Sequence, residues 1–442
     1  MLCSHLFSGP DTQGANFPAP GRIFSLAALV LLGLSPAARL CAEPAGTPAG
    51  EWKTTAALTA RETYDSNVFM QDIAPNPAVA DAVPARLASL VTSLSATVGV
   101  EHRFSPALTL AASYAPEAIR YHSASSEDNI VHRAGLNFSG TAGAVAWSLT
   151  NSGVWTDGSK DAPIFGGPGG APAIGGAPVR DRRAAFAERS NFKLSAVRGP
   201  WLVRAVATTY WHDFQTRQTT LAGCSNYIDR SEVLGGVEGG YALWPKTRLI
   251  AGYRFGRQNQ GKLLGVDSPY DSWMRRLVAG VEGSPCSWLQ LNLLAGRETR
   301  TFGPGTPVGF NRHNPLWWVD ASATATPTKN DALQLSFRRI RQPSSSSVSV
   351  YDDAVAEITW KHKCTDRFSA GAGLKACIAN WQAPAIRRDR IYTPSLQLQY
   401  AFSKQFSAEI ACSRDIAESQ IKATEGREFT RNLCTLGLKR TF

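Results

Sequence analysis

A chain of 442 residues that is 43% hydrophobic with a mean hydropathy of -0.17 does not have the bulk composition of a helical membrane protein. Its 46 Lys and Arg against 35 Asp and Glu give a formal charge of +11, yet the basic residues are spread singly and no run of five exists. That spread argues against a nucleic-acid partner and for attraction to anionic lipid or anionic solutes.

The only long apolar run is Ile23 to Leu34. It falls short of the roughly 20 residues that a bilayer-spanning helix needs. Arg22 precedes it and small residues follow up to Ala42, which is the pattern of a secretory signal peptide cleaved after Ala42 or Ala38. The expected organisation is a signal peptide over 1–42, a short periplasmic segment over 43–53 and one domain over 54–442. Helical spacing of apolar residues is absent after Ala42.

The first strand, Thr54 to Tyr64, runs into Glu62-Thr63-Tyr64-Asp65-Ser66-Asn67-Val68-Phe69. Asp and Asn bond their own backbone, so this reads as a strand end followed by an Asx-type turn. In the next strand Leu90, Leu94, Ala96, Val98 and Val100 share one face, opposite Ser93, Ser95, Thr97, Gly99, Glu101 and Arg103. Alternation over ten residues is the pattern of a membrane-spanning β-strand. It recurs at Leu108 to Tyr114, Ala134 to Ser139, Leu289 to Ala295 and Tyr392 to Phe402.

Short turns alternate with long polar or glycine-rich loops along the whole chain, as in barrels whose short turns face the periplasm. The fold class expected is all-β, a transmembrane antiparallel up-and-down β-barrel of about eighteen strands, within a range of 16 to 20. Aromatic residues at strand ends, namely Trp155, Tyr210, Trp211, Phe255, Trp317, Trp360 and Trp381, fit girdles at the two membrane interfaces. The closing strand, Glu428 to Phe442, alternates Leu438, Leu436 and Cys434 with Lys439, Gly437 and Thr435, and ends on an aromatic residue.

Two resemblances follow from these residues. The Tyr64-Asp65-Ser66-Asn67-Val68 element resembles that of β-barrel porins of Gram-negative bacteria, some of them associated with exopolysaccharide export. The terminal Phe442 resembles the end of bacterial outer-membrane proteins generally, which implies recognition by the barrel-assembly machinery. Together they imply an outer-membrane location, with membrane lipid and lipopolysaccharide as surroundings.

Barrels of this size leave a water-filled lumen. The residues expected to line it are Arg61, Glu101, Arg103, Arg133, Arg254, Arg276, Arg338, Lys361, Lys375 and Lys439. Arg or Lys facing lipid at mid-depth would cost about 2–4 kcal/mol, whereas facing water it can set ion selectivity. The segments Arg387 to Arg390 and Asn311 to His313 are expected in loops at the outer mouth.

Six cysteines follow residue 42, with no Cys-x-x-Cys pair and no His at zinc-site spacing, so neither metal nor cofactor is expected. Cys412 and Cys434 are equidistant from residue 423 and are placed to face each other across a hairpin, as a bridge or as two lipid-facing residues. The glycine-rich stretch Gly166 to Gly176 lacks the Lys-Ser/Thr and helix of a phosphate loop. His212-Asp213 is an adjacent His and carboxylate, too little for a catalytic constellation. Three readings stand: a passive channel for small hydrophilic or anionic solutes, an outer-membrane conduit for exopolysaccharide export, and a non-conducting structural or adhesive barrel.

Overall fold

The computed structural model describes residues 50–74, 84–158, 184–215, 217–218, 227–345, 349–421 and 428–442. Its strands are β1 (Trp52–Asp65), β2 (Ser89–Ser105), β3 (Leu108–Tyr121), β4 (Asn129–Ala142), β5 (Val145–Thr156), β6 (Ala185–Arg198) and β7 (Trp201–Phe214). There follow β8 (Arg230–Trp244), β9 (Thr247–Gln260), a two-residue pair β10 (Lys262–Leu263) and β11 (Val266–Asp267), β12 (Ser272–Cys286), β13 (Leu289–Phe302) and β14 (Pro315–Ala325). The last are β15 (Asp331–Pro343), β16 (Val350–Lys363), β17 (Phe368–Trp381), β18 (Arg387–Ala401), β19 (Phe406–Ser419) and β20 (Phe429–Thr441).

Eighteen strands form one sheet in which each pairs antiparallel with its sequence neighbour; β10 and β11 form a separate hairpin within the loop between β9 and β12. The sheet closes on itself where β1 pairs β20, with Ala57 opposite Thr441 and Asp65 opposite Leu433. Closure leaves no unpaired edge, the condition for a sheet to cross a bilayer.

Strand alternation defines the two surfaces. Leu58, Leu94, Val98, Val203, Val237, Leu277, Leu335, Leu374, Leu396 and Leu436 are exposed, and register places them all on the outside of the barrel. A hydrophobic exterior of this extent is stable only in lipid. Short turns join β2 to β3, β4 to β5 and the corresponding later pairs at one end, where β1 also begins and β20 ends. The longer connections leave the other, loop end.

Of the strand-end aromatics, Trp155, Trp211, Phe255, Trp317 and Trp360 lie on the outer surface. Tyr210 and Trp381 do not. Tyr210 is next to Trp211 in an extended strand and therefore points the opposite way, and Trp381 is buried inside with Tyr351, Met70 and Phe429. Arg387 to Arg390 is likewise strand rather than loop, the opening of β18. The expected signal peptide, residues 1–42, and the Gly166 to Gly176 stretch lie outside the described residues.

Candidate functional site: the lumen wall

All ten charged positions singled out from the sequence project to the inside, because each has the parity opposite to its exposed apolar neighbours. They do not form one population. On the wall from β7 to β14, Arg204 donates to Glu238 (2.7 Å) and Glu282 (2.8 Å), and Arg254 donates to Glu238 at 2.7 Å. One step along, Arg276 and Arg300 donate to the two oxygens of Glu298, at 2.9 and 2.6 Å. The Trp318 ring lies between the two groups, 5.6 Å from the Arg254 guanidinium and 4.3 Å from that of Arg276. Beneath them Leu202, Ile250, Val278 and Leu294 form a buried apolar cluster with Trp318. Glu238 and Glu298 have no exposed surface, so Arg254 and Arg276 neutralise buried carboxylates and are not available to a solute.

The wall from β16 round through β1 to β5 is different. Its inward side chains are largely Ser, Thr, Asn and Gln, such as Ser95, Thr97, Asn137, Gln397 and Thr435, and none of these is buried. Arg133 pairs Glu117 at 2.6 Å, Arg61 lies 3.8 Å from the same carboxylate, and Arg103 donates to the Pro106 carbonyl at 3.1 Å. Glu101 is half-buried on the same wall, towards the turn end. Lys361 reaches Gln399 at 3.4 Å, where a recess of about 690 Å³ opens at the turn end. For Arg338, Lys375 and Lys439 no ion pair is found among the described residues.

Near the loop end the two walls approach. Arg189 stacks on Tyr210 at 5.1 Å and lies within electrostatic reach of Arg338, although they belong to β6 and β15. Arg230 covers the same Tyr210 ring at 4.7 Å and donates to Gln342 at 3.0 Å. The Ile228 amide donates to the Ser345 carbonyl at 2.8 Å, so the loops after β7 and β15 also touch over the mouth. Arg189 and Arg230 were not singled out from the sequence, though Arg189 shares the parity of Asn191 and Lys193, a signal that alternation alone contains.

The Tyr-Asp-x-Asn-Val element has a structural place. Arg431 of β20 grips Asp65 with two hydrogen bonds, Nε to Oδ1 at 2.8 Å and Nη2 to Oδ2 at 2.6 Å. Asn67 donates to Asp72 (2.9 Å) and to the Thr430 carbonyl (3.1 Å), while its own oxygen accepts from the Gln71 amide at 3.1 Å. Val68 is fully buried with Phe69, Val91 and Tyr121, and Tyr64 faces outward. The element thus fastens the first strand to the last and tucks the following loop into the mouth. Phe442 is exposed at the end of the final strand, with Arg440 stacked on its ring at 4.9 Å.

His212 and Asp213 point to opposite faces of β7. The imidazole packs on Phe214 at 3.8 Å and its Nδ1 lies 3.1 Å from the Tyr210 hydroxyl, which is an aromatic packing arrangement. Among the described residues no group of three or more His, Cys, Asp or Glu could hold a metal ion.

No protein-family model matches the chain, and no curated protein does. Solved barrels do resemble it in outline. Against Acinetobacter baumannii OccAB4 the identity is 12% and the TM-score 0.42, over 88% of this chain and 98% of that one. Against the Pseudomonas aeruginosa siderophore receptor PirA the values are 9% and 0.39, over 88% and 80%. Against OmpT, an outer membrane protein of Vibrio cholerae, they are 13% and 0.37, over 91% and 100%. At TM-scores below 0.5 the likeness carries no information on what this chain conducts or binds.

Proposed function

We propose that the protein is an outer-membrane channel for small hydrophilic solutes with a preference for anions. The supporting observation is the division of the lumen. One wall is a compact, charge-compensated surface; the other is polar and accessible to water, and cations not held in an ion pair project into the lumen, although Asp320 lies opposite Arg338 and Glu357 opposite Lys375 in the register and Asp353 is within electrostatic reach of both. Arg189 and Arg338 come from β6 and β15, so a solute passing the narrowing near the loop end meets positive charge from separate sides of the lumen, with Lys375 of β17 at mid-depth. Exopolysaccharide export, suggested by the resemblance of the Tyr64 to Val68 element, uses the same basic lumen for a longer anionic cargo.

Planar-bilayer recording of the refolded mature chain, with and without an anionic oligosaccharide, tests the proposal. Steady openings that the sugar blocks support a channel. A correctly folded barrel that never opens would favour the structural or adhesive reading, with the loops that meet over the mouth acting as its closure.

A further inference from the structure

The outer surface carries a feature that conduction does not use. Arg257 of β9, Arg275 of β12, Arg297 of β13 and Arg339 of β15 all have the lipid-facing parity, alternating with the exposed Phe255, Trp273, Leu277, Trp317 and Phe337. Arg257 and Arg275 lie in the third of their strands nearest the loop end, and Arg297 and Arg339 in the middle third on its loop-end side.

Register places them side by side. Arg257 faces Trp273, two residues from Arg275; Arg275 faces Thr299, two from Arg297. Arg297 faces Trp317, and Val319, two further on, faces Arg339. The first two steps each move one strand along and two residues toward the turn end, and the last crosses β14 to reach β15, which strand tilt turns into a path around the barrel. Diagonal neighbours of this kind have Cα atoms roughly 7–8 Å apart, so long side chains reach a common ligand. Arg257 stacks on Trp273 at 5.3 Å. Only Arg339 has a carboxylate near it, Asp352 at 3.8 Å; the other three make no ion pair among the described residues. On the nearby strands β5 to β7 the outer surface toward the loop end carries Trp155, Phe186 and Trp211 instead.

Cations turned toward lipid without acidic partners are stable only at the headgroup level, and there they attract anions that arrive on lipids. Guanidinium groups bind phosphate oxygens in pairs, and the flanking Trp273 and Trp317 supply the amphipathic contact suited to the boundary between headgroup and acyl chain. The geometry points to a binding site for a phosphorylated lipid of the leaflet at the loop end, with phosphate groups held by Arg257, Arg275 and Arg297 and bordered by Arg339. The inference needs the transmembrane barrel but not conduction.

The test uses the full mature chain refolded in zwitterionic detergent, titrated with diphosphorylated lipid A, with its dephosphorylated form and with inorganic phosphate, and read by native mass spectrometry and thermal unfolding. The unaltered chain is expected to retain the diphosphorylated lipid one-to-one and to unfold at higher temperature with it. The triple variant Arg257→Gln, Arg275→Gln, Arg297→Gln should lose at least ten-fold in affinity, while the corresponding triple Lys variant keeps most of it. Equal binding by the Gln variant would overturn the site, as would a Lys variant that folds but does not bind. An equal response to inorganic phosphate would make it a free-anion site and overturn the lipid assignment.

Discussion

Asp65 and Arg431 lie 366 residues apart in sequence and meet in a two-pronged ion pair at the seam where the first strand joins the last. The carboxylate is almost wholly buried, so the pair is worth most as a requirement: removing one partner leaves the other charged and dry. Asp65→Ala is therefore expected to destabilise the folded barrel by about 3–5 kcal/mol. Gel mobility of unheated samples in a urea series measures this. Asp65→Ala with Arg431→Met should be less damaging than Asp65→Ala alone; if the double variant were worse, the pairing would not be the source of the loss.

The same distinction between paired and unpaired charge separates two groups of lumen arginines. Arg276→Ala leaves Glu298 buried beside Arg300 alone and should lower stability by a similar few kcal/mol with little effect on ion selectivity in the molecules that fold. Arg338→Glu should leave stability nearly unchanged and shift the reversal potential toward cations, more so when combined with Arg189→Glu. Paired urea-unfolding and bilayer measurements on the two variants decide this; identical behaviour would dissolve the division of the lumen.

Cys412 faces Cys434 directly across β19 and β20, on the lipid side. The Thr441 amide donates to the Gln405 carbonyl at 2.8 Å, and counting from that hydrogen-bonded pair places the cysteines at a non-hydrogen-bonded pair, where Cα atoms lie about 4.5 Å apart. That is within reach of a disulfide. Mild oxidation of the folded protein by a copper complex should remove two titratable thiols without forming dimers, and Cys434→Ser should abolish the loss. A register slip of one residue would put the two on opposite faces, and no bridge would form.

Gly296 sits opposite Val278, and a Cβ there would collide with the Leu277 carbonyl oxygen. Gly296→Val is accordingly expected to block refolding, whereas Gly303→Val, with open space around it, should refold normally. Comparing the fraction of each that regains compact gel mobility checks the close approach of β12 and β13.

Much of this architecture was legible in the chain because strand alternation is local. Leu94 to Val100 against Ser93 to Arg103 states which side faces lipid without any partner strand, and the alternation of short and long connections gives the strand count. The facing of Cys412 and Cys434 was legible for the same reason, since a hairpin's register follows from its midpoint. What was not legible depends on contacts across the lumen. Nothing near Trp381 signals that it packs inside under Arg387, 3.9 Å away, rather than in a girdle. Arg254 and Arg338 look alike in sequence; only the position of Glu238 makes one a structural partner and leaves the other facing the open lumen. The Asp65 to Val68 element was recognisable as a turn, but its fastening to Arg431 and Thr430 requires the closed ring.

The most direct test of the central claim is the reversal potential of the refolded mature protein across a tenfold gradient of potassium chloride. An open lumen with cations outside ion pairs predicts steady conductance and a reversal potential of the sign set by chloride. A folded barrel that conducts nothing, or one that prefers potassium, would contradict it.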